Sequence, residues 1–414
     1  MMEVPEGWKV KTINDIAKVS SGGTPSRERP EFWNGDIPWV RTTEVQNCKI
    51  YHHNIQEFIS EEGLKNSSAK IFPKNTLLLA MIGQGKTRGQ VALLMHEAAT
   101  NQNCSAIILN SNHCSVFYFN HLLSQYQNIR NYSNSAGQSN LSGSLIKTFK
   151  VPVPPAPEQQ KIAEILSTWD RAIEATESLI QNSQAQKKAL MQQLLTGKKR
   201  LKGFSEEWEE IEFGKLGETY SGLSGKTKKD FGKGRSYIPY KTVFKYPCVN
   251  FSFLDKVNIE KDEKQNIAQH GDIIFTTSSE TPEEVGMSSV VVEPLESLYL
   301  NSFCFGFRPE NLSQLTPLFA AQYFRSPYMR RLISSLAQGS TRYNLSKKGL
   351  MKLKLTLPSL KEQTAIAEIL STADRETELL TQKLGTLKQE KSALMQQLLT
   401  GKRRVKIDDK AVAA

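Results

Sequence analysis

The chain has 414 residues, 39% apolar and 8% aromatic, with a formal net charge of +11. That composition excludes a disordered chain and has room for two or three domains. No apolar run approaches the ~20 residues that span a bilayer, and no apolar signal core follows the charges at the start, so the expected location is the cytoplasm. The positive surplus fits a polyanion partner, nucleic acid first, or a merely lysine-rich surface. Cys48, Cys104, Cys114, Cys248 and Cys304 are scattered without a CxxC pair, which fits reduced thiols rather than zinc.

In chain order, residues 1–153 hold short apolar runs ("TLLLAMI", "VALLM", "SAIIL") separated by turn residues, which predicts a mostly β head. One helical segment is expected at "VFYFNHLLSQYQNIRNYS". Polar loops stand out as candidate DNA contacts. They are Thr24, Ser26, Arg27 and Arg29 before Trp33, Arg41 in "IPWVRT", Gln84, Lys86, Thr87 and Arg88 in "GQGKTRGQ", and Gln138 and Asn140 in "SAGQSNLSGS". Arginine and lysine suit phosphate or guanine, and glutamine suits adenine. Plain turn chemistry is the competing account of such loops.

Residues 154–200 read as a long helix. Ile162, Leu166, Trp169, Ile173, Thr176 and Ile180 alternate spacings of four and three, the pattern of a coiled-coil seam. The pattern lapses at Ser183 and Lys187 and resumes at Leu190 and Leu194. The helix is expected to start after Pro157 and to stop at Gly197.

Residues 201–357 repeat the head: "DIIFTT", "SSVVV" and "CFGF" predict strands, and "LFAAQYFRSPYMRRLISSLAQG" a helical segment. Candidate contacts here are Lys226, Lys228, Lys229, Lys233 and Arg235 on a glycine-rich flexible loop, Lys241 in "IPYKT", Thr277 and Ser278, and Arg342, Tyr343 and Asn344 in "AQGSTRYNLS". Residues 358–404 repeat the helix, with Ile366, Leu370, Ala373, Thr377, Leu380 and Leu384 on the seam. Residues 405–414 are expected to be a disordered tail.

The repeat organises the whole. Residues 158–200 match residues 362–404 at 24 of 43 positions without a gap, and "NLS" at Asn140 returns at Asn344. Upstream the offset falls to about 200, where Trp8 pairs with Trp208, Gly22 with Gly222, Asn101 with Asn301 and Cys104 with Cys304. "IPWVRT" at Ile37 resembles "IPYKT" at Ile238. Near-identical helices follow divergent heads, so the heads should bind two related but different targets. About 38 helical residues make a rod of ~57 Å. The natural partner for so narrow a seam is the other copy, paired antiparallel.

"GQGKTRG" resembles a phosphate-binding loop, but its first glycine position is Ala80 and a second strand, not a helix, should follow. The equivalent second-head segment, "GDIIFTTSSETPEEVGMSSVVV", lacks the motif and carries acids. No HExxH, GxSxG or Asn/Asp-Pro-Pro-aromatic motif appears, so the chain reads as non-catalytic. The alternatives are a coiled-coil scaffold without DNA readout and a nucleotide-binding protein.

The paired "AEILS…ALMQQLLTGK" tails, each after a "P-x-x-x-EQ" approach at Pro154 and Pro358, resemble the specificity subunits of type I restriction-modification systems. The head openings "PEGWKVKTINDIAKVSSGGTPS" and "FSEEWEEIEFGKLGETYSG" resemble the starts of target recognition domains. The resemblance covers residues 1–404 and implies an α+β fold, with two pseudo-symmetric β-rich recognition domains and two helices paired as an antiparallel coiled coil. It implies that each head reads half of a bipartite double-stranded DNA target and that the helices set the spacer. It also implies two modification (methyltransferase) subunits as partners, with two restriction subunits where the system has them, and no membrane. No cofactor is expected on this chain; S-adenosylmethionine, ATP and magnesium are expected on the partners.

Overall fold

The computed structural model describes residues 3–83, 85–135 and 140–407. By internal contacts the chain divides into two units, Met1–Glu177 with Lys383–Ala414, and Ser178–Gln382. Each unit holds one head, the first part of the helix that follows it, and the last part of the other long helix.

The heads share a plan. In the first, a five-stranded sheet has the order Ala17–Ser21, Cys104–Leu109, Leu77–Ala80, Val91–Leu94, Cys48–Ile50. In the second, the order is Gly217–Ser221, Cys304–Pro309, Ile273–Thr276, Ser288–Val290, extended by a parallel bridge from Cys248 to Val290. A further sheet pairs Trp33–Val40 in parallel with Ala98–Thr100, matched by Phe231–Ile238 with Tyr299–Leu300. The register places Val40 opposite Thr100 and Ile238 opposite Leu300. Val40, not Ile37, is therefore the counterpart of Ile238, and the apparent match of "IPWVRT" to "IPYKT" is displaced by three residues.

The central strands are continuous apolar runs because both their faces are covered. Leu77, Leu79, Val91 and Leu93 enter one core with the helix Ser115–Ser124 and the long-helix ends. Leu78, Ala80, Ala92 and Leu94 enter another, against Val40 and Phe72 of the second sheet. The second head divides Ile273 and Phe275 from Ile274 in the same way. In its core Phe213 stacks on Phe307 at 3.9 Å, with Phe275 and Phe324 against them.

Each expected helical segment is in fact two helices, Ser115–Ser124 with Tyr126–Ser135, and Pro317–Tyr323 with Pro327–Ser334. In the second head the cause is Ser326-Pro327. Proline disfavours helix at the residue before it, and the Ser326 hydroxyl instead caps the next helix by accepting from Met329 N (3.2 Å).

The long helices span Ala156–Leu194 and Leu360–Leu398, 39 residues each. Beyond them Gly197 and Gly401 stand at φ +68° and +71°, the left-handed geometry that glycine supplies after a helix. The first helix begins at Ala156, before Pro157 rather than after it, because proline in the first turn loses no N–H that the helix would use.

Two features of the seam differ from expectation. Ile162 and Leu166 are buried in the first head's core with Met395, Leu398 and Leu399, and Ile366 and Leu370 in the second's with Met191, Leu194 and Leu195. These turns complete a globular core rather than a free two-helix seam. Trp169, Ile173, Ile180, Leu380 and Leu384 are half-buried. The expected lapse at Ser183 and Lys187 does not occur, because both positions find polar partners. Ser183 is buried and its Oγ lies 2.9 Å from Thr377 Oγ1, while Lys187 pairs with Asp374. In the first unit Lys391 pairs with Asp170 and Lys388 with Glu177. In both units partners descend on one helix as they ascend on the other, so the pairing is antiparallel. Of the expected disordered tail, Val405 packs against the first head's core, and residues 408–414 lie outside the described residues.

Candidate nucleic-acid interface

The positions repeated between the units build the frame. Trp8 Nε1 donates to Glu158 (3.2 Å) and Trp208 Nε1 to Glu362 (3.1 Å). Both carboxylates are buried, and each also accepts from an arginine beyond a long helix's end, Arg404 on Glu158 and Arg200 on Glu362. The neighbouring glutamine caps a head helix: Gln159 Oε1 accepts from Cys114 N and Gln363 Oε1 from Thr316 N, both at 2.9 Å. This is the physical content of the repeated "EQ". A Cβ on Gly22 would lie 1.9 Å from Thr100 O, and on Gly222 2.1 Å from Asn301 O, so only glycine fits.

The repeated "NLS" roots a loop in each head. Leu141 N donates to Met81 O (3.0 Å) and Leu345 N to Thr277 O (2.8 Å). Ser142 and Ser346 then cap short helices. Asn140 and Asn344 are exposed beside these roots.

Between Leu77–Ala80 and Val91–Leu94, which pair antiparallel, runs the "GQGKTRGQ" loop. It joins strand to strand. The helix N-terminus that a phosphate-binding loop uses does not follow it. Lys86 is exposed, and Thr87 and Arg88 are half-buried. Arg130 fixes the backbone by donating to Gly85 O (2.8 Å) and Arg88 O (3.1 Å), and Tyr126 donates to Lys86 O (2.6 Å). Gln84 and Gln138 lie outside the described residues. Elsewhere in this head, Arg27 and Arg41 converge on Glu57, at 2.6 and 3.3 Å. Arg27 also lies 3.7 Å over the Trp33 ring, Thr24 donates to Gln102, and Ser26 O accepts from Trp33 Nε1. Arg29 is exposed.

In the second head Arg330 performs the task of Arg130, donating to Gly286 O (2.7 Å), Glu283 O (2.8 Å) and Val285 O. Arg325 holds the helix Tyr240–Lys245 to the sheet through Val243 O (2.6 Å), Phe244 O (2.9 Å) and Ser288 O (2.6 Å). Burial lowers both guanidiniums to about 10. Neither clamp was among the predicted residues, because an arginine that binds backbone carbonyls leaves no partner pattern in sequence.

Several candidates are occupied internally. Lys226 is largely buried and paired with Glu263. Thr277 Oγ1 donates to Phe303 O (2.8 Å), and buried Ser278 accepts from Arg342 Nε (3.1 Å). The basic stretch is not the flexible loop expected. Lys228 and Lys229 sit in a short turn capped by Asp230, and Lys233 and Arg235 in the bulged strand Phe231–Ile238. These four and Lys241 are exposed. Ser278 and Asn344 face each other across paired strands, as do Ser279 and Tyr343.

The model for the type I restriction modification DNA specificity domain matches residues 5–182 and 205–389. The chain belongs to this family. It is 28% identical over 308 residues to a type I restriction enzyme specificity subunit of Methanocaldococcus jannaschii, covering 70% of each chain. A second from that organism is 26% identical, over 98% of this chain and 95% of the relative. Among solved structures, the specificity subunit from M. genitalium aligns with a TM-score of 0.56 at 17% identity, covering 96% of each chain. A chain from a structure on the complex assembly of the type I restriction-modification system aligns at 0.61 and 16%, covering 97% of this chain and 100% of that one.

Among the described residues no helix is long and apolar enough to cross a membrane, and no group of His, Cys, Asp and Glu is placed to hold a metal.

Proposed function

We propose that this chain is the DNA-addressing subunit of a type I restriction-modification complex. Each head reads one half of a bipartite target, the long helices set the spacer, and two modification subunits methylate adenine while restriction subunits cleave. S-adenosylmethionine, ATP and magnesium act on those partners. The observation that carries this reading is the contrast within the repeat: the same frame, with an arginine-held loop in each head, presents basic side chains in one and acids in the other. Phosphate contacts come from exposed Lys86, Lys228, Lys229, Lys233 and Arg235, and base contacts from the loop tips.

The test is modification sequencing of cells carrying the chain with its methyltransferase partner. A matched heptad inserted after Gln181 and after Leu379 keeps the seam in phase. It lengthens each helix by ~10 Å at ~1.5 Å per residue. At ~3.4 Å per base pair that is about three pairs of added spacer, with both half-sites unchanged. An unaltered spacer refutes the ruler.

A further inference from the structure

The second head carries a cleft of about 620 Å³ lined by Tyr240, Phe244, Ser278, Glu280, Thr341 and Arg342 among others. Glu280 and Arg342 are the residues that directly follow and precede the paired Ser279 and Tyr343. The two are opposite in charge and line one cleft, yet among the described residues no ion pair joins them. Arg342 is instead held by Ser278 through Nε and lies 5.9 Å from the Phe303 ring, which leaves its terminal nitrogens directed elsewhere. Glu280 is exposed and makes no hydrogen bond or ion pair among the described residues. Its neighbour Glu284 is already bound to Ser279 (3.1 Å). The backbone beneath is fixed by Arg330 and by Ser334, whose Oγ donates to Pro282 O (2.9 Å).

We propose that Glu280 is a specificity-determining residue that reads cytosine in the half-site of the second head, with Arg342 reading guanine of the same pair. This rests on the DNA-addressing function above. An unpaired carboxylate facing a polyanion weakens binding unless a donor meets it. A carboxylate only accepts hydrogen bonds, so phosphates, thymine O4 and guanine O6 and N7 all repel it. The donors in the major groove are the amino groups of cytosine and adenine. Adenine sets its N7 acceptor beside that amino group, which suits an amide, whereas cytosine offers the donor without an adjacent acceptor. Arginine binds guanine O6 and N7 with two parallel bonds. An acid and an arginine that line one cleft without pairing match the two edges of one C·G pair.

The experiment compares the intact complex carrying wild-type chain, Glu280→Ala, Glu280→Gln, and a chain whose residues 201–357 come from a relative with a different motif. The readout is the modified motif and the initial methylation rate on duplexes altered at one position. The head exchange identifies the second half-site. That half-site contains a C·G pair, at which Glu280→Ala loses roughly ten- to hundredfold of discrimination. Glu280→Gln shifts preference there toward A·T, and the first half-site and spacer stay as they were. Glu280 is exposed and bonds to nothing, so both variants fold, and a thermal melt checks this. If the exchange moves the half-site but neither substitution changes it, the Glu280 assignment is overturned and the bipartite reading stands. If the exchange itself leaves the motif unchanged, both fail.

Discussion

The two units hold their frames in the same way and spend their surfaces differently. Each uses a tryptophan, a buried glutamate and an arginine to tie a head to the ends of both long helices. Each uses a helix arginine to grip the carbonyls of one inter-strand loop. What those loops carry is unlike: Lys86, Thr87 and Arg88 in the first, Glu280, Glu283 and Glu284 in the second. A backbone held from below through its carbonyls keeps its path whatever side chains the loop carries. The lesson is that the repeated residues are those that bond to main chain and buried polar groups, and the divergent ones face outward.

The largest expected difference between the units is their response to acid. His121 is fully buried in the first head, and neither ring nitrogen has a hydrogen-bond partner among the described residues. Burial lowers its pKa from 6.5 to about 4. The folded value lies below the unfolded one, so stability is complete above pH 6.5 and is lost as pH falls toward 4, by about 3 kcal/mol in all. Counted from the capped residues Cys114 and Thr316, the second head has Tyr323 in that place, whose hydroxyl reaches Thr356 O (3.3 Å). Hydrogen exchange at pH 7 and pH 5 should therefore show protection falling in the first unit well before the second. His121→Phe should remove the difference, and equal loss in both units would break the comparison.

The clasp should respond nearly alike in both. Glu158→Ala and Glu362→Ala each strand a tryptophan N–H and release an arginine, costing about 1–3 kcal/mol in the unit concerned. Arg200 is the less exposed arginine, 27% against 43% for Arg404, so Glu362→Ala should be the costlier. Unit-resolved thermal unfolding decides it; a larger loss from Glu158→Ala would contradict the burial argument.

Those clasps show what a sequence can disclose. The repeat, the long helices and their glycine stops were legible because helix period and punctuation are local signals. The strand–loop–strand setting of "GQGKTRGQ" was legible because its counterpart lacked the motif. The roles of Glu158 and Gln159 were not, since their partners lie 45 to 246 residues away. Lys226 reads as a phosphate ligand for the same reason: Glu263 is 37 residues away, and only folding brings it near. Glu280 does not stand out among the acids of its loop, because nothing local separates an acid with a partner from one without.

The smallest effect lies in the seam, at one layer that is polar in the second unit and apolar in the first. Ser183 and Thr377 meet in the second unit, and 204 residues away the corresponding positions in the first are Leu387 and Ile173. Thr377 Oγ1 already donates to Ala373 O (3.0 Å), so Ser183 is the donor between them. Ser183→Ala therefore leaves no stranded donor and should cost only about 0.5–1 kcal/mol. Ser183→Leu with Thr377→Ile, which copies the first unit's layer, should instead raise the second unit's melting temperature by about 2–4 °C, the shift of a ~1 kcal/mol gain in a unit of this size. A polar layer in an apolar seam costs stability and fixes register. If that is its role here, the more stable double variant should yield modified sites with a spread of spacers where the wild type yields one. A single spacer in the stabilised variant would mean that the heads and clasps alone hold the register.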